Sequence, residues 1–206
     1  MISDSLAAAL AAMSAPEIAA VGLAIAYLAL AIRQNILCWL AALISSFLYL
    51  GLFFSARLYM ESGLQVFYAA MAVYGWSQWR YGGAEHSGLR ITTWSPRRHA
   101  SVIATILGMT ALFGWAMSHT DAVFPFLDSF TTVAAIFATY MVARKVLENW
   151  VYWFVIDSLS IYLYLSRGLH LTALLFLLYL VLIVIGFRRW WRDWRAESVV
   201  PQRAQF

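Results

Sequence analysis

A polar stripe within an apolar, aromatic segment is the part of this sequence best suited to chemistry. Asn149, Trp153 and Asp157 are four residues apart, and Ser160 and Tyr164 continue at helical spacing. On a helix they would present an amide, an indole, a carboxylate, a hydroxyl and a phenol in one direction. An ionisable side chain in a membrane usually faces a bundle interior or a wet cavity, because an ion in hydrocarbon is costly. We therefore expect the stripe to line a path or pocket for a small cationic substrate.

Trp153 and Asp157 together suit a flat cation. Such a ligand could stack on the indole and pair with the carboxylate, and a cation–π contact contributes about 0.5–2 kcal/mol. The alternative is that Trp153 only packs and that Asp157 pairs with an arginine. Asn149 could likewise contact substrate or cap its helix.

A second group of candidates lies in the segment before residue 80. Gln65, Tyr68, Trp76 and Trp79 are spaced by 3, 8 and 3 residues, so they share roughly one helix face. Gln65 could form hydrogen bonds with a substrate hydroxyl or carboxamide. The two tryptophans approach the predicted membrane surface, where tryptophan is common for reasons unrelated to substrate.

The composition indicates that these segments lie in a membrane. Of the 206 residues, 63% are hydrophobic and 12% are charged, whereas soluble domains have about 25% charged residues. Each apolar run is read as a helix, because lipid tolerates only helices or closed barrels, and the runs lack the alternation of barrel strands. The seven runs are residues 16–32, 37–54, 64–79, 100–117, 130–143, 150–165 and 171–187.

The basic residues predict the orientation of these seven spans. When the loops alternate sides, twelve of the fourteen Lys and Arg residues fall on one side, which should be cytoplasmic. The N-terminus is then outside and the C-terminus inside. The first 32 residues contain no Lys or Arg, which is atypical of a signal peptide, so we expect the first apolar run to be retained. The cytoplasmic set is Arg33, Arg80, Arg90, Arg97, Arg98, Arg144, Lys145, Arg188, Arg189, Arg192, Arg195 and Arg203, against Arg57 and Arg167 outside.

Several other function classes fit the sequence poorly. The net charge of +4 follows from membrane orientation, so no nucleic-acid partner is expected, and the bilayer is the surrounding partner. The four histidines show no metal-ligand spacing, and we predict neither a metal site nor a cofactor. A membrane-embedded enzyme is a distant alternative, because Asp157 has no second carboxylate at membrane depth and no common hydrolase motif occurs.

The sequence also contains an internal repeat. Asn35-x-x-x-Trp39 matches Asn149-x-x-x-Trp153 at a shift of 114 residues, from 35 to 149. Chance recurrence in an aromatic-rich chain is the alternative explanation. The other matches are Ser46 with Ser160 at the same shift and, after a three-residue adjustment, Ser55, Leu58, Tyr68, Gly75 and Trp79 with Ser166, Leu169, Tyr179, Gly186 and Trp190 at a shift of 111 residues.

This repeat predicts the organisation of the chain. Matched spans four helices apart have the same orientation, so two parallel three-helix units would be joined by one linker helix. We expect a single membrane domain over 1–206, with the first unit at about 16–80, the linker at 100–118 and the second unit at 129–191. Residues 192–206 would form a cytoplasmic tail. Duplicated bundles with a pocket at the repeat interface are typical of transporters.

In this alignment the two copies differ at the acid. Leu43 occupies the position that corresponds to Asp157, so the repeat itself does not require a carboxylate there. The difference favours a functional role for Asp157.

Three motifs together resemble the PnuC family of nicotinamide riboside transporters. They are the segments Leu64-Gln65-Val66-Phe67-Tyr68 with Tyr74-Gly75-Trp76-x-x-Trp79, Phe124-Pro125-Phe126-x-Asp128-Ser129, and Arg144-Lys145-x-x-Glu148-Asn149-Trp150-x-x-Trp153. The resemblance covers about residues 34–191, apart from a connector at 81–99. It implies an all-α membrane protein with seven helices in a 3+1+3 parallel-repeat, SWEET-like bundle, often a homotrimer, in the bacterial inner membrane.

The resemblance also implies a function. Family members import nicotinamide riboside by facilitated diffusion, and a cytosolic kinase traps the vitamin by phosphorylation, although some members carry thiamine or riboflavin. Where the nicotinamide riboside carriers have asparagine, this chain has Asp157. A carboxylate suits either the pyridinium of nicotinamide riboside or the thiazolium of thiamine. Nicotinamide riboside is therefore the expected substrate, and thiamine is the alternative.

Overall fold

Seven α-helices make up the described part of the chain in the computed structural model. The structure describes residues 13–55, 59–83, 88–120, 122–166, 168 and 170–203. They form two compact units, Met1–Arg90 and Ile91–Phe206. The helices are α1 (Ala15–Ile32), α2 (Leu37–Ser55), α3 (Tyr59–Tyr81), α4 (Pro96–Met117), α5 (Pro125–Ala143), α6 (Asn149–Ser166) and α7 (His170–Arg203).

Local sequence signals set where three of these helices begin. A proline stands in the first turn of α1, α4 and α5, where its missing N–H removes no helical hydrogen bond. At α1 the backbone N–H of Ser14 donates to Glu17 Oε2 over 2.6 Å, which is part of a capping box. At α4 the Ser95 hydroxyl accepts from the Arg98 N–H over 3.4 Å.

Five of the helices are long and apolar enough to cross a bilayer. These are α1, α2, α4, α5 and the Thr172–Glu197 part of α7, with mean hydropathies between 1.5 and 2.1. The other two, α3 and α6, are less apolar because they carry the polar and aromatic candidates named above. The all-helical prediction is confirmed, whereas seven spans and the 3+1+3 arrangement stay predictions.

The predicted bounds differ most from the structure at the end of α7, and helices α3, α4 and α5 each begin a few residues earlier than predicted. Helix α4 begins at Pro96, inside the predicted connector 81–99. Helix α7 continues to Arg203, so the part of the expected tail that the structure describes extends the last span. Hydropathy falls after Phe187, but Arg, Trp, Ala and Glu retain helix propensity and no glycine or proline intervenes before Pro201. At 34 residues, α7 is about 50 Å long, well beyond the bilayer core.

In the first unit, α2 packs against both α1 and α3. Buried serines tie these helices together, because the Ser45 hydroxyl donates to the Ala20 carbonyl over 3.1 Å. Similarly, the Ser62 hydroxyl donates to the Leu50 carbonyl over 3.1 Å. Hydrogen bonds between helices satisfy polar groups that lipid cannot.

A tryptophan–glycine–tryptophan contact joins α2 to α3. The Trp39 and Trp79 rings meet edge to face, with centroids 5.4 Å apart and an interplanar angle of 86°. The Trp39 ring lies directly over Gly75, where an added Cβ would be 2.5 Å from its Cη2 atom. Glycine is therefore required for the close approach of α3 to this ring.

In the second unit, α5 packs against α4 and α6, and α6 also packs against α7. Small residues on α5 allow these close approaches. The connector is attached to this unit as well, because the Thr92 N–H donates to the Lys145 carbonyl over 3.0 Å and the Thr92 carbonyl accepts from Leu147. The core consists of Ile106, Val133, Ala134, Ala135, Ala138 and Ile156.

The second unit contains its own tryptophan–glycine–tryptophan contact. Trp150 and Trp190 meet with centroids 5.4 Å apart at 88°, and the Trp150 ring lies over Gly186. The turn before α2 and the turn before α6 also agree, since Gln34 has φ 54° and Lys145 has φ 50°. All of these pairs are related by a single shift of 111 residues, from 34 to 145 and from 75 to 186.

The shift of 114 residues that we predicted between α2 and α6 is therefore wrong. Trp39 corresponds to Trp150, and not to Trp153. Only Trp150 contacts a glycine and a tryptophan of α7 in the way that Trp39 contacts those of α3. Asn35 is not the counterpart of Asn149 either. Its side chain accepts from the Leu37 N–H over 2.9 Å in the turn.

The corrected shift changes the counterpart of the acid. Residue 46 corresponds to residue 157, so Ser46, and not Leu43, occupies the position of Asp157 in the first unit. Both side chains are buried, with 5% of Ser46 and 3% of Asp157 exposed. The repeat therefore places a polar residue at this position in each unit, and only the second copy carries a carboxylate.

Candidate functional site

The predicted stripe on α6 lies on the buried face of that helix. Asn149, Asp157 and Ser160 are buried, and Trp153 and Tyr164 are half-buried. The turn at Val146–Asn149 and the packing of α6 between α5 and α7 direct this face inward. The structure therefore brings the five side chains together along one line, as the spacing predicted.

Asp157 is the most unusual member of the stripe. Its carboxylate forms no hydrogen bond or ion pair with any residue that the structure describes. The alternative that an arginine pairs with it finds no partner in that part of the chain. An ionised carboxylate buried without a partner is unfavourable by several kcal/mol. A cationic ligand or water must therefore complete this environment when the acid is charged.

Asn149 has both a structural and an open side. Its amide nitrogen donates to the Val146 carbonyl over 2.6 Å and so fixes the turn before α6. Its Oδ1 atom is buried and has no partner among the described residues. The side-chain oxygen accepts no hydrogen bond from the described residues, so the cap, one of the two alternatives for Asn149, is not formed. The side chain instead holds the turn before α6.

Trp153 and Ser160 flank the acid by one helical turn on either side. Trp153 packs against the core of the second unit. The Ser160 hydroxyl has no hydrogen bond within the described residues, whereas the Ser158 hydroxyl donates to the Phe154 carbonyl over 2.7 Å. Two successive buried positions of the stripe, Asp157 and Ser160, therefore carry polar groups without a hydrogen-bond partner among the described residues.

The C-terminal end of the stripe continues into aromatic rings of α7. The centroid of Tyr164 lies 5.0 Å from that of Phe176, which lies 5.5 Å from that of Tyr179. These rings supply a flat apolar surface next to the polar positions.

The candidates on α3 do not share one environment. Gln65 and Tyr68 are half-buried, Trp76 is 36% exposed and Trp79 is 6% exposed. The four side chains lie within about 80° of the helix surface at 100° per residue. They share one face, but neighbouring residues cover them to different extents. Trp79 is engaged with Trp39, which gives it a packing role.

A polar cluster that the sequence analysis missed joins the start of α4 to the start of α6. His99 Nδ1 lies 3.0 Å from the Tyr152 hydroxyl, and His99 Nε2 lies 3.8 Å from Glu148 Oε1. The Trp94 N–H donates to Glu148 Oε2 over 3.3 Å, and the Arg98 guanidinium lies 4.1 Å from the centroid of the Trp94 ring. The i, i+4 spacing of Glu148 and Tyr152 was visible, but nothing in the sequence pointed to His99.

We expect this cluster to stabilise the second unit. Replacing Tyr152 with phenylalanine removes one partly buried hydrogen bond, which should lower the unfolding free energy by about 1 kcal/mol and the melting temperature in detergent by about 2–4 °C. The measurement is a double-mutant cycle with His99→Gln. Tyr162→Phe, on the exposed side of the same helix, serves as the control and should leave the melting temperature unchanged.

An apolar cavity of about 260 Å³ lies between α4 and α6, with α5 beneath it. Its lining includes Ile103, Leu107 and Val155, and no polar atom contributes to it. A charged vitamin would find no partner there, so the substrate site is better sought on the opposite, polar side of α6.

Comparison with known proteins agrees with this arrangement of helices. The family model of nicotinamide mononucleotide transporters matches residues 14–192. The solved structure of a vitamin B3 transporter, PnuC, has the same fold, with a TM-score of 0.68 and 23% identity over 84% of this chain and 79% of that chain.

Two characterised relatives transport different vitamins. The riboflavin/roseoflavin transporter RibM of Streptomyces davaonensis is 28% identical over 176 residues, which is 83% of this chain and 82% of that protein. The nicotinamide riboside transporter PnuC of Escherichia coli is 27% identical over 187 residues, which is 78% of each chain. With the family model covering most of its length, this chain belongs to the PnuC-type family of nicotinamide mononucleotide transporters.

Proposed function

We propose that this protein is a bacterial inner-membrane transporter that imports nicotinamide riboside by facilitated diffusion. Membership of the family supports transport of a small vitamin. The observation that favours a cationic vitamin is Asp157, a buried carboxylate without a partner in the described part of the chain. A positively charged pyridinium ring would offset the carboxylate when it reaches this helix.

The neighbouring residues suit the remaining parts of such a substrate. The Trp153 ring can stack with a flat cationic ring. The Ser160 hydroxyl can form hydrogen bonds with a ribose, whereas Asn149 is fully buried and is not placed to meet a substrate in this structure. Gln65 and Tyr68 remain candidates in the first unit. Trp76 is exposed and Trp79 packs against Trp39, so these two tryptophans are less suited to contact with substrate.

The wider parts of the proposal rest on family membership and on the sequence. They include seven spans in a 3+1+3 parallel-repeat bundle, an outside N-terminus, a cytoplasmic C-terminus and a homotrimeric assembly. Diffusion through such a carrier only equilibrates the vitamin, so net uptake requires a cytosolic kinase that phosphorylates it. The added phosphate gives the product a charge that the carrier's acidic stripe would repel.

Riboflavin is the second candidate substrate, because the relative from Streptomyces davaonensis transports it. Its flat ring system would also stack on Trp153, but the ring is uncharged and leaves the carboxylate without a cation. Thiamine carries a positive charge and remains the alternative suggested by Asp157. The three vitamins therefore differ in whether they carry a positive charge that can pair with Asp157.

Counterflow in proteoliposomes distinguishes these substrates. We expect vesicles preloaded with unlabelled nicotinamide riboside to accumulate the labelled vitamin, with weaker or no counterflow of riboflavin and thiamine. Label recovered from the vesicles should be chemically unchanged, as expected for a transporter and unlike the product of an enzyme. Accumulation of none of the three vitamins would refute the proposal.

A further inference from the structure

The apolar cavity of the second unit has no part in the transport of a charged vitamin. It lies in the gap between α4 and α6, which both pack on α5, and all of its lining belongs to the second unit. Its volume of about 260 Å³ is below the range of about 300–1,000 Å³ that is usual for compact, drug-sized ligands. A purely apolar cavity does not hold ordered water either. The cavity therefore suits a hydrocarbon chain.

The cavity opens at the surface of the unit between four aliphatic side chains. Ile103 and Leu107 on α4 and Val151 and Val155 on α6 line it, and each is 44–55% exposed. Because α4 is apolar enough to cross a bilayer, we expect this opening at the depth of the lipid hydrocarbon. Helices in membranes approach one another through small residues, which let the backbones come close. A rim of bulky aliphatic residues therefore suits a lipid chain better than a neighbouring helix.

The polar cluster at the starts of α4 and α6 adjoins one end of the cavity. The Tyr152 ring lines the cavity, and its hydroxyl lies 3.0 Å from His99 Nδ1. The centroids of the His99 and Trp94 rings are 5.7 Å apart, and the Arg98 guanidinium lies 4.1 Å from the centroid of the Trp94 ring. A row of neighbouring rings therefore leads from the apolar cavity to a cation.

The charge at this end of the unit is mainly positive. Arg97 and Arg98 occupy the first turn of α4, where the helix dipole also favours an anion, and Arg144 and Lys145 precede α6. Glu148 is the acid of the cluster, and it already accepts from a backbone N–H. The distribution of basic residues predicts that this end is cytoplasmic. Basic pockets between membrane helices on that side bind anionic lipid head groups.

We propose that the cavity holds one acyl chain of an anionic phospholipid, with the lipid phosphate at Arg97 and Arg98. The chain enters between α4 and α6, and the glycerol backbone lies beside Tyr152. Burial of the methylene groups supplies affinity, and the two arginines select a negatively charged head group. At 100° per residue the cavity lies on the face of α6 opposite Asp157, so this lipid site does not depend on the proposed vitamin transport.

Native mass spectrometry of the full chain in detergent, titrated with phosphatidylglycerol, tests the cavity. We expect Ile103→Trp, which fills the cavity from its rim, to weaken binding of the first lipid about tenfold, because the indole displaces methylene groups of the chain. Val155→Trp should do the same from the opposite wall. Leu112→Trp is the matched control, because Leu112 is an exposed residue of α4 outside the cavity lining, and its affinity should equal that of wild type.

The head group is tested by comparing lipids with identical chains. Wild-type protein should bind phosphatidylglycerol about tenfold more tightly than zwitterionic phosphatidylcholine, because basic residues near the phosphate favour a net negative charge. The double variant Arg97→Gln/Arg98→Gln should lose this preference, whereas Arg188→Gln/Arg189→Gln on α7 should retain it. Glycerol 3-phosphate, which has the charge without a chain, should not compete.

Melting temperatures show whether the variants fold. Phosphatidylglycerol should raise the melting temperature of wild type and of Leu112→Trp, because a ligand stabilises the state that binds it, but not that of Ile103→Trp or Val155→Trp. Wild-type lipid affinity in both of these variants would overturn the proposal. Equal losses in the two arginine pairs would indicate diffuse attraction and would also overturn it. A variant that changed the mass of the assembly instead of its lipid content would assign the cavity to a second copy of the chain.

Discussion

Asp157→Ala is expected to reduce saturable uptake of nicotinamide riboside by at least about a hundredfold, while the protein still inserts and folds. Removing one partner of a buried charge pair costs about 3–5 kcal/mol, and each 1.4 kcal/mol corresponds to about tenfold in affinity. The substitution should not destabilise the protein without substrate, because the carboxylate has no partner among the described residues. An unchanged or higher melting temperature together with lost uptake would distinguish recognition from folding.

The matched control for this prediction is Ser158→Ala, the next residue on the same helix. Its hydroxyl is bonded to the Phe154 carbonyl, so its loss should leave uptake close to wild type. Asp157→Asn retains the shape of the side chain and removes its charge, and it should impair a cationic vitamin far more than riboflavin. Equal uptake by wild type and Asp157→Ala would show that the acid has no role in transport.

Gly186→Ala is expected to be the most destabilising small substitution in the second unit. A Cβ at this position would lie 2.5–2.7 Å from three atoms of the Trp150 ring, far inside van der Waals contact. The ring also packs edge to face against Trp190, so it cannot turn away cheaply. Overpacking of this kind costs about 1–3 kcal/mol, which should lower the melting temperature in detergent by several degrees.

Gly108→Ala on α4 is the control, because nothing lies within 4 Å of a Cβ at that position. Alanine should be neutral there or stabilise the helix by up to about 1 kcal/mol. Trp150→Phe, which shortens the ring, should partly rescue Gly186→Ala. If Gly186→Ala and Gly108→Ala had the same melting temperature, the contact between Trp150 and Gly186 would not constrain the unit.

The amino-acid sequence by itself determined the class of protein and most of its helices. Composition predicted membrane helices, and the apolar runs located all seven helices with bounds within about five residues, except that α7 ends at 203 and not at 187. Spacing alone placed the polar stripe of α6 on one face, because the helical repeat is a local property of the backbone. The motifs around Trp79 and Trp150 are sufficient to indicate the family without any tertiary contact.

The tertiary structure decided which residues correspond between the two units. Shifts of 111 and 114 residues differ by three, which is close to one helical turn of 3.6 residues, so both keep apolar and polar residues on nearly the same faces. Periodicity alone could not separate them. The packing of the Trp150 ring against Gly186 separates the two shifts, because only contacts between helices distinguish Trp150 from Trp153. The same contacts gave Trp79 a packing role and moved the counterpart of Asp157 from Leu43 to Ser46.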